Sequence, residues 1–305
     1  MDKKVAIILV NWNSFVFTDQ CIRSINRMNY ENADIILVDN GSADNSGIQL
    51  KEAHPGIVLI QAGDNKGSTG GNNLGMQYSI ENGYVYSLLL NNDTLVENNF
   101  LDILVAFMDA HPEAGAVQPK IYFAHDHSLL WNGGSYFNQF LGYTYTKGYS
   151  QKEQREHNLL KEVDWLSSCA LLTRNAVLVQ TGLFADNLFL YYEDTDLSLR
   201  IKEKGFILMY NPASVIYHIA GMSNKSNTKK EEGYINPIVH YLNIRNRIWF
   251  LKKYTPVYFI PSVIIYNFFY IFLVLIYLTA RKRFKKAKAV LSAVKDGIKG
   301  NILYT

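Results

Sequence analysis

Small polar residues follow each of the four apolar runs in the first 95 residues of the sequence. The four polar stretches are Asn11-Trp12-Asn13, Asp39-Asn40-Gly41-Ser42, residues 63–73 and Asn91-Asn92-Asp93. Asn, Asp and Gly are frequent in ordinary turns, so any single stretch is consistent with turn chemistry alone. Four in succession predict a site for a polar ligand, because the carboxyl ends of parallel strands meet at one edge of a sheet.

Asp39 and the glycines after the third apolar run indicate what this edge could bind. A carboxylate at the end of a buried strand can accept the N3–H of uracil or thymine, or hold a ribose hydroxyl. We expect segment 67–71 to be a loop that opens a helix near Asn72 and offers backbone N–H groups to a diphosphate. The G-x-G-x-x-G fingerprint does not follow the first strand, which argues against an NAD enzyme.

Asp93 and His218 are candidate ligands of a divalent cation. A diphosphate carries negative charge, and Mg²⁺ or Mn²⁺ binds carboxylate and phosphate oxygens together. Asp93 follows the fourth apolar run, and His218 ends a late predicted strand. A lone histidine is as consistent with a structural role as with metal binding, so both interpretations of His218 stay open at this point.

Three carboxylates lie within four positions of an acidic stretch, at Glu193, Asp194 and Asp196. The stretch is consistent with the acidic first turn of a helix, with Arg200 as the i+4 partner of Asp196. The alternative is a general base, since a carboxylate on the loop side of the helix could deprotonate a hydroxyl. The aromatic residues nearby would form either a sugar-stacking wall or core.

Apolar runs that alternate with helical patterns predict a mostly parallel, doubly wound α/β sheet over the first 120 residues. The predicted strands cover 5–10, 34–39, 57–61 and 85–90, and the predicted helices cover 18–29, 45–53 and 72–82. Residues 117–165 are predicted to be an insertion or an extension of the sheet with a mobile loop. We expect a helix over 194–204 and two further strands, 206–210 and 214–218.

Composition and charge narrow the class of protein. Apolar residues are 48% and charged residues 19% of the 305, which excludes a wholly disordered chain, and two cysteines exclude a disulfide framework. Residues 281–299 hold eight Lys or Arg against one Asp, a net charge of +7, whereas the remainder carries −4. This basic tail fits an anionic membrane surface better than nucleic acid, because the apolar run beside it needs a nonaqueous environment.

The apolar run from Val257 to Ala280 predicts contact with a membrane. Its 24 residues are enough to cross a hydrocarbon core of about 30 Å. Pro261 and Asn267 interrupt it, and aromatic residues lie at one end and the Arg/Lys cluster at the other, as interfacial anchors do. Three arrangements stay open: a spanning helix, a helix lying in one leaflet, and a buried helical hairpin.

The ordered set of motifs over residues 4–220 resembles the family 2 glycosyltransferases of the GT-A (nucleotide-diphospho-sugar transferase) fold. Within that family it is most similar to the rhamnosyltransferase-like enzymes of bacterial cell-surface polysaccharide synthesis. The motifs are the four polar stretches, Trp165 before Ser167 and Ser168, residues 192–197 and His218. The sequence departs from the family's Asp-x-Asp element, because Asn91 stands where the first aspartate is usual.

The resemblance implies a role for each matching residue. Asp194 would be the catalytic base with Glu193 beside it, and Asp93 and His218 would hold Mn²⁺ or Mg²⁺. Trp165 and Tyr192 would contact the acceptor. The residues expected to bind the nucleotide-sugar donor are Val10, Asn11, Asn13, Asp39, Ser42, Asn65, Gly67, Gly71, Asn72, Asn91 and Asn92.

We therefore predict an inverting, metal-dependent glycosyltransferase that moves a sugar from dTDP-rhamnose or a UDP-hexose to a saccharide or lipid-linked saccharide. Residues 1–225 would form the GT-A domain, with a nucleotide-binding half at 1–95 and an acceptor half at 96–225. Residues 226–305 would be a helical region on the cytoplasmic face of the cell membrane. Two alternatives stay open, a sugar-1-phosphate nucleotidyltransferase and a non-catalytic scaffold on the same fold.

Overall fold

The computed structural model describes residues 3–219, 225–230 and 233–304. The chain forms two compact units that do not follow chain order. The first unit contains residues 1–136, 146–184 and 194–220, and the second contains residues 137–145, 185–193 and 221–305. Residues 220–224, which directly follow the predicted strand that ends at His218, lie outside the described residues.

Four parallel strands form one half of the sheet in the first unit, as predicted. They are ordered β3-β2-β1-β4 and have the bounds β1 Val5–Asn11, β2 Ala33–Asp39, β3 Val58–Gln61 and β4 Tyr86–Leu90. Asn11 pairs with Asp39, and Asp39 pairs with Gln61. This in-register pairing brings three strand ends to a common edge.

The other half of the sheet is mixed and extends it beyond β4. Its strands are β5 Thr94–Val96, β6 Ala114–Phe123, β7 Asp126–Asn132, β10 Gln151–Lys152, β11 Lys161–Glu162, β12 Ala170–Arg174 and β13 Ile207–His218. β12 runs antiparallel to both β4 and β6. A separate pair is formed by β8 Ser135–Asn138 and β9 Tyr143–Thr146. The prediction that 117–165 extends the sheet is confirmed.

Helices cover both faces of this sheet, which explains the unbroken apolar runs. The helices of the first unit are α1 Phe15–Ile25, α2 Ser46–Ala53, α3 Gly67–Glu81, α4 Phe100–Ala110, α5 Asn175–Thr181 and α6 Glu193–Glu203, which begins in the second unit. Side chains alternate between the faces of a strand. Val5, Ile7 and Leu9 of β1 therefore enter one hydrophobic cluster, while Ala6 and Ile8 enter the other.

Helix α3 begins five residues earlier than predicted. The segment expected to be a loop is its first turn, and Gly67 there has a φ of +72°. Glycine lowers helix propensity, which hid this turn in the sequence. The close packing of α3 on β1 requires the glycines: a Cβ at Gly71 would lie 2.8 Å from Val10 Cγ1, and one at Gly75 would lie 2.3 Å from Ile8 Cγ2.

The two late strands predicted at 206–210 and 214–218 are one strand, β13. It pairs in parallel with β6 on both sides of an irregularity between Asn211 and Val215. Pro212 within this stretch has no N–H to donate, and this broke the strand pattern in the sequence. The continuous strand carries His218 to its carboxyl end.

The second unit is mainly helical. Its helices are α7 Pro237–Tyr254, α8 Ile260–Ala280 and α9 Phe284–Lys299, and its strands β14 Lys225–Lys230 and β15 Gly233–Ile235 pair with each other. Pro261, which interrupts the apolar run in the sequence, lies in the first turn of α8, where its missing N–H costs nothing, so it does not break the helix. Asn267 does not break α8 either: it is buried and bonded to neighbouring segments.

Candidate functional site

The ends of β1 and β2 are joined by a buried hydrogen-bond network. The Asn11 amide donates to Ser46 Oγ at 2.8 Å and to Ser42 Oγ at 3.1 Å, and its oxygen accepts from Thr18 Oγ1 at 2.9 Å. The Ser42 hydroxyl donates to Asp39 Oδ1. Because the Asn11 side chain is fully occupied within the protein, it holds the strand ends together.

Asp39 is 7% exposed and has one oxygen that no described residue donates to. Its Oδ1 accepts from Ser42 and, at 3.4 Å, from Asn11, whereas Oδ2 has no such donor. A Cβ on Gly47 would lie 2.4 Å from Asp39 Cγ, so only glycine allows α2 to pack this closely. Asp39 thus keeps an acceptor at the predicted nucleotide edge.

The ends of β2 and β3 are joined through Asn40. Its amide nitrogen donates to Gly67 O at 3.0 Å and to Asn65 Oδ1 at 3.2 Å, and its oxygen accepts from Lys66 N. Asn65 Oδ1 also accepts from Gly67 N at 2.9 Å. Asn40 shapes this edge but was not predicted to do so, since an Asn in an Asp-Asn-Gly turn carries no separate signal.

The remaining predicted donor residues differ in exposure. Asn13 and Asn91 are exposed, and Asn92 donates to Thr18 Oγ1 at 2.8 Å. Asn13 is also tied to the β2 end, because its N–H donates to Ser42 Oγ. Asn72 is turned inward and donates to Ser68 O. Exposed amides therefore lie beside a buried, prearranged network.

Asp93 and His218 lie together, although 125 residues separate them. His218 Nε2 is 3.0 Å from Asp93 Oδ1, and both residues are buried. The Ile219 N–H donates to the Asp93 carbonyl at 2.9 Å, which ties the end of β13 to the turn after β4. The edge of Trp131, which the sequence analysis did not single out, packs against the His218 ring with centroids 4.6 Å apart.

The Asp93–His218 pair fits a divalent cation. A carboxylate oxygen and an imidazole nitrogen are both ligands that Mn²⁺ accepts, and these two atoms lie within hydrogen-bonding distance of each other, at 3.0 Å. The buried His218 Nδ1 has no hydrogen-bond partner among the described residues. No cluster of three or more His, Cys, Asp or Glu ligands occurs in the described part of the chain, so phosphate oxygens and water would complete the coordination.

Asp194 is a partly buried carboxylate in the first turn of α6. Its Oδ2 accepts from Ser168 N at 3.2 Å, and its Oδ1 accepts from Thr195 N at 2.7 Å and from the Thr195 hydroxyl at 3.2 Å. Burial raises the pKa of Asp194, while these hydrogen bonds act in the opposite direction. A carboxylate with a raised pKa is a better proton acceptor than an exposed one.

Asp196 has a different environment from Asp194. Its side chain is fully buried, and its Oδ2 accepts from Arg200 Nε at 2.9 Å. The remaining nitrogens of Arg200 donate to the carbonyls of Thr181, Gly182 and Leu183. The predicted i+4 ion pair is confirmed, and it leaves Asp194 as the partly accessible carboxylate of the two.

Cys169, another residue without a sequence signal, lies between the Asp93 turn and Asp194. Its carbonyl accepts from Asn91 N at 2.9 Å, and the neighbouring Ser168 N–H donates to Asp194. Burial raises the pKa of the Cys169 thiol well above its usual value, and the charges of Asp93 and Asp194 raise it further. The turn into β12 is therefore hydrogen-bonded both to Asp194 and to Asn91, which lies two residues before Asp93.

The family model of glycosyl transferase family 2 matches residues 6–177 of this chain. The match spans more than half of the sequence and includes all four strand ends described above. The chain belongs to glycosyl transferase family 2. It is therefore a glycosyltransferase, and the sequence-based prediction of the family is confirmed.

Curated relatives of this glycosyltransferase include two named for rhamnosyl transfer. The N-acetylglucosaminyl-diphospho-decaprenol L-rhamnosyltransferase of Mycobacterium tuberculosis is 24% identical over 237 residues, which cover 72% of this chain and 76% of the relative. The dTDP-rhamnosyl transferase RfbF of Shigella flexneri is 21% identical over 305 residues, which cover 98% and 97%. The predicted similarity to rhamnosyltransferase-like enzymes is confirmed.

Solved structures confirm the GT-A fold of the glycosyltransferase. GalNAc-T7 with UDP, GalNAc and Mn²⁺ aligns with a TM-score of 0.60 and 13% identity over 75% of this chain and 45% of that one. The mannosyltransferase PcManGT of Pyrobaculum calidifontis, in complex with GDP-Man and Mn²⁺, aligns with a TM-score of 0.58 and 12% identity over 99% and 77%. The α/β fold class with a C-terminal apolar helix is thus as predicted.

Two predicted acceptor residues of the glycosyltransferase belong to different units. Trp165, in the first unit, donates from its indole N–H to the Tyr136 carbonyl at 3.1 Å. Tyr192, in the second, packs on Phe250 with ring centroids 5.3 Å apart, and burial raises its pKa. Glu193, which precedes Asp194, is buried in the second unit. Acceptor contacts and a catalytic role for Glu193 stay predictions.

The loop that precedes Glu193 is held by one side chain of α7. Phe189, Tyr191 and Tyr192 all have positive φ values, of 65°, 73° and 68°, which are costly for residues other than glycine. The buried Asn246 amide nitrogen lies 2.9 Å from the carbonyl oxygens of three residues in this loop. These residues are Leu188, Leu190 and Tyr191.

Replacing Asn246 with Ala should lower the free energy of unfolding by about 1–3 kcal/mol, because buried carbonyls would lose their donor. Chemical denaturation of the full-length protein measures this change. Asn243→Ala is the matched control, since Asn243 lies on the same helix and makes no hydrogen bond among those described. Equal, small losses in both variants would contradict the role given to Asn246.

Proposed function

We propose that this glycosyltransferase is an inverting, divalent-metal-dependent enzyme that uses a nucleotide-diphosphate sugar as its donor. The observation that carries the proposal is that the turn at Ser168 and Cys169 is hydrogen-bonded both to Asp194 and to Asn91, two residues before the Asp93–His218 pair. Two candidate metal ligands and a separate carboxylate, connected through one turn, would supply the two functions that direct displacement requires. Family membership favours glycosyl transfer over nucleotidyl transfer or a scaffold.

In the proposed mechanism, each group of the site acts on a different part of the reaction. Asp194 takes the proton from an acceptor hydroxyl while that oxygen forms its bond to the anomeric carbon. The bond from the anomeric carbon to the diphosphate oxygen breaks on the opposite face. Asp93 and His218 would hold Mn²⁺ or Mg²⁺, which when bound stabilises the charge on the leaving diphosphate.

Asp39 and the amides of the strand ends would bind the nucleotide. The free Asp39 oxygen can accept the N3–H of uracil or thymine, because it lies at the end of β2 beside Ser42. The start of α3, between Gly67 and Gly71, would offer backbone N–H groups to the diphosphate, while the Gly67 N–H itself is held by Asn65 Oδ1. The other donor residues, Val10, Asn11, Asn13, Asn65, Asn72, Asn91 and Asn92, would line or support this edge.

We propose dTDP-rhamnose as the donor and a saccharide or lipid-linked saccharide as the acceptor. Support comes from the two relatives named above, since one is called a dTDP-rhamnosyl transferase and the other carries a diphospho-decaprenol in its name. A UDP-hexose is the second candidate. The acceptor would be extended at the cytoplasmic face of the membrane, with residues 226–305 as the attached region and 1–225 as the catalytic domain.

The direct test uses the purified full-length protein, Mn²⁺ and a panel of nucleotide sugars. The expected result is slow release of nucleoside diphosphate from dTDP-rhamnose without acceptor and faster release with a lipid-linked saccharide. Chelation of the metal with EDTA should abolish both. Release of pyrophosphate would identify a nucleotidyltransferase instead, and no product from any sugar nucleotide would reject the proposed activity.

The pH dependence of transfer should report the environment of Asp194. The base acts as the carboxylate, so activity is present above its pKa and falls as the pH drops through that value. Burial raises this pKa, so the acid limb of kcat should lie above the pH expected for an exposed Asp, which has a pKa of about 3.9. Measuring kcat against pH at saturating Mn²⁺ and donor locates the limb.

Thr195→Val should move that limb to higher pH. The Thr195 hydroxyl donates to Asp194 Oδ1 and stabilises the charged form, so its removal raises the pKa further. Thr195→Ser keeps a hydroxyl and serves as the control. An acid limb that moves to lower pH in Thr195→Val would show that another group limits the rate.

A further inference from the structure

Helix α8 is long and apolar enough to cross a membrane, as part of the stretch Val257–Ala280, but one of its faces is already covered within the second unit. Val263, Asn267 and Leu278 are buried along that face. Leu278 packs in one hydrophobic cluster with Ile244 of α7 and with Val290 of α9. The face is covered from residue 263 to residue 278, about 22 Å at 1.5 Å per residue.

The helices that cover this face carry charge. Arg247 of α7 donates from Nε to Asn267 Oδ1 at 2.6 Å and from Nη2 to the Gly142 carbonyl at 3.0 Å. Its guanidinium also lies 4.6 Å from the centre of the Tyr270 ring. If α8 crossed the bilayer, this buried cation would lie in the hydrocarbon core, where each such charge costs about 2.5–3.5 kcal/mol or more.

The opposite face of α8 is apolar and exposed. Ile264, Phe268 and Phe272, with Ile265, Phe269 and Leu273 beside them, are each at least 50% exposed. Their four-residue spacing places them on one stripe along the helix. Exposure of this stripe to water would be unfavourable. The stripe occupies only one side of α8, and the other side packs on protein.

Helix α9 has a second exposed apolar stripe, next to its lysines. Phe284, Leu291 and Ile298 are seven residues apart and about 60% exposed, whereas Ala287, Val290 and Ala293 of the same helix are buried. Four exposed lysines lie near this stripe: Lys285, Lys288, Lys295 and Lys299. Large apolar side chains beside lysines are typical of helices that lie in the headgroup region of an anionic leaflet.

We propose that α8 does not span the membrane but lies in the plane of an anionic leaflet, seated there together with the Phe284-Leu291-Ile298 stripe of α9. This rests on the membrane association in the proposed function, and of the three arrangements that the sequence left open it chooses the helix lying in one leaflet. An anionic bilayer is the occupant, because the net charge of residues 281–299 is +7. The exposed stripes would enter the leaflet while the Arg247 side of α8 stays out of the hydrocarbon.

The first experiment uses the full chain with the substitutions Phe284→Ser, Leu291→Ser and Ile298→Ser combined. In flotation with phosphatidylcholine–phosphatidylglycerol vesicles, binding should fall about tenfold or more, since three large side chains no longer enter the leaflet. The matched control combines Val16→Ser, Ile48→Ser and Val179→Ser, which are 60%, 45% and 66% exposed in the first unit. Unchanged vesicle binding in the α9 variant would overturn the proposal, because a spanning α8 does not need that stripe.

The second experiment tests whether α9 and the first unit lie on the same side of the membrane. Ser292→Cys on α9 and Asp44→Cys in the first unit are both exposed, whereas the native Cys21 and Cys169 are buried. In sealed inverted membrane vesicles, an impermeant maleimide should label both introduced cysteines equally. Protection of Ser292→Cys alone would show that α8 spans and would reject the in-plane arrangement.

Release of nucleoside diphosphate, measured in detergent, separates this proposal from the proposed function. The α9 variant should keep the wild-type rate with a sugar nucleotide and Mn²⁺, because the substituted residues lie outside the catalytic site. If the wild-type protein releases no nucleoside diphosphate but both vesicle experiments give the expected results, the proposed activity is rejected and the in-plane arrangement of α8 is supported. If the wild-type protein releases nucleoside diphosphate but the vesicle experiments do not give the expected results, only the in-plane arrangement of α8 is rejected.

Discussion

Asp194→Asn should bind the nucleotide-sugar donor with a normal Kd and lose transfer activity by about 10²–10⁴-fold, the range for removal of a general base. The amide keeps the shape of the side chain and one oxygen that can accept from Ser168 N or Thr195 N, so one of the two backbone contacts is kept. What it loses is the ability to take a proton. Single-turnover transfer and donor titration on the same preparation measure the two quantities separately.

Asp196→Asn is the control for this variant. Asp196 is buried and paired with Arg200, so its replacement should lower the free energy of unfolding rather than the turnover of the folded protein. Near-normal turnover in Asp194→Asn would reject the assignment of the base. A large loss of kcat in Asp196→Asn without a change in stability would move the base to that residue.

Asp93→Ala should weaken Mn²⁺-dependent binding of a nucleoside diphosphate by at least about 100-fold. Replacing a group that only supports a metal ligand costs about 10–100-fold in affinity, and Asp93 is proposed to be a ligand itself. His218 would remain, but it would lose the carboxylate that lies 3.0 Å from its Nε2. Calorimetric titration with and without Mn²⁺ measures the metal-dependent part of the affinity.

Two variants sharpen the interpretation of this loss. Asp44→Asn replaces an exposed carboxylate and should leave metal-dependent binding unchanged. Asn91→Asp restores the carboxylate that the family's motif usually has, next to a His218 ring 3.4 Å away, and should tighten Mn²⁺ binding. Metal-dependent nucleotide affinity that is the same in Asp93→Ala and the wild type would remove Asp93 from the site.

The residues that lie at the donor edge could be predicted from the sequence, but the function of each side chain there could not. The four polar stretches were found because each follows an apolar run, and short-range patterns encode that. Asn11 is enclosed in a hydrogen-bond network, whereas Asn13 is exposed. This difference depends on residues more than 25 positions away in the chain. Asn40 and Gly47 act through contacts of the same kind, so neither carried a signal.

The carboxylates of the acidic stretch illustrate the same limit. The spacing of Asp196 and Arg200 predicted their ion pair, because residues four apart on a helix are neighbours. The spacing did not distinguish Asp194 as the accessible carboxylate, because Asp194 accepts a hydrogen bond from Ser168, which lies 26 residues earlier in the chain. Helix α3 was misjudged for a related reason: its glycines disfavour a helix locally, but packing on β1 requires them.

The sequence by itself determined the alternation of strands and helices, the residues at the strand ends, the apolar and basic C-terminal helices and the family. These features follow from local periodicity and from ordered motifs, which a linear chain displays directly. Only the tertiary structure decided that His218 meets Asp93, that one turn connects this pair to Asp194, and that a single face of α8 is exposed. Each of these depends on pairing between distant segments, in which burial and hydrogen-bond geometry are set by the whole fold.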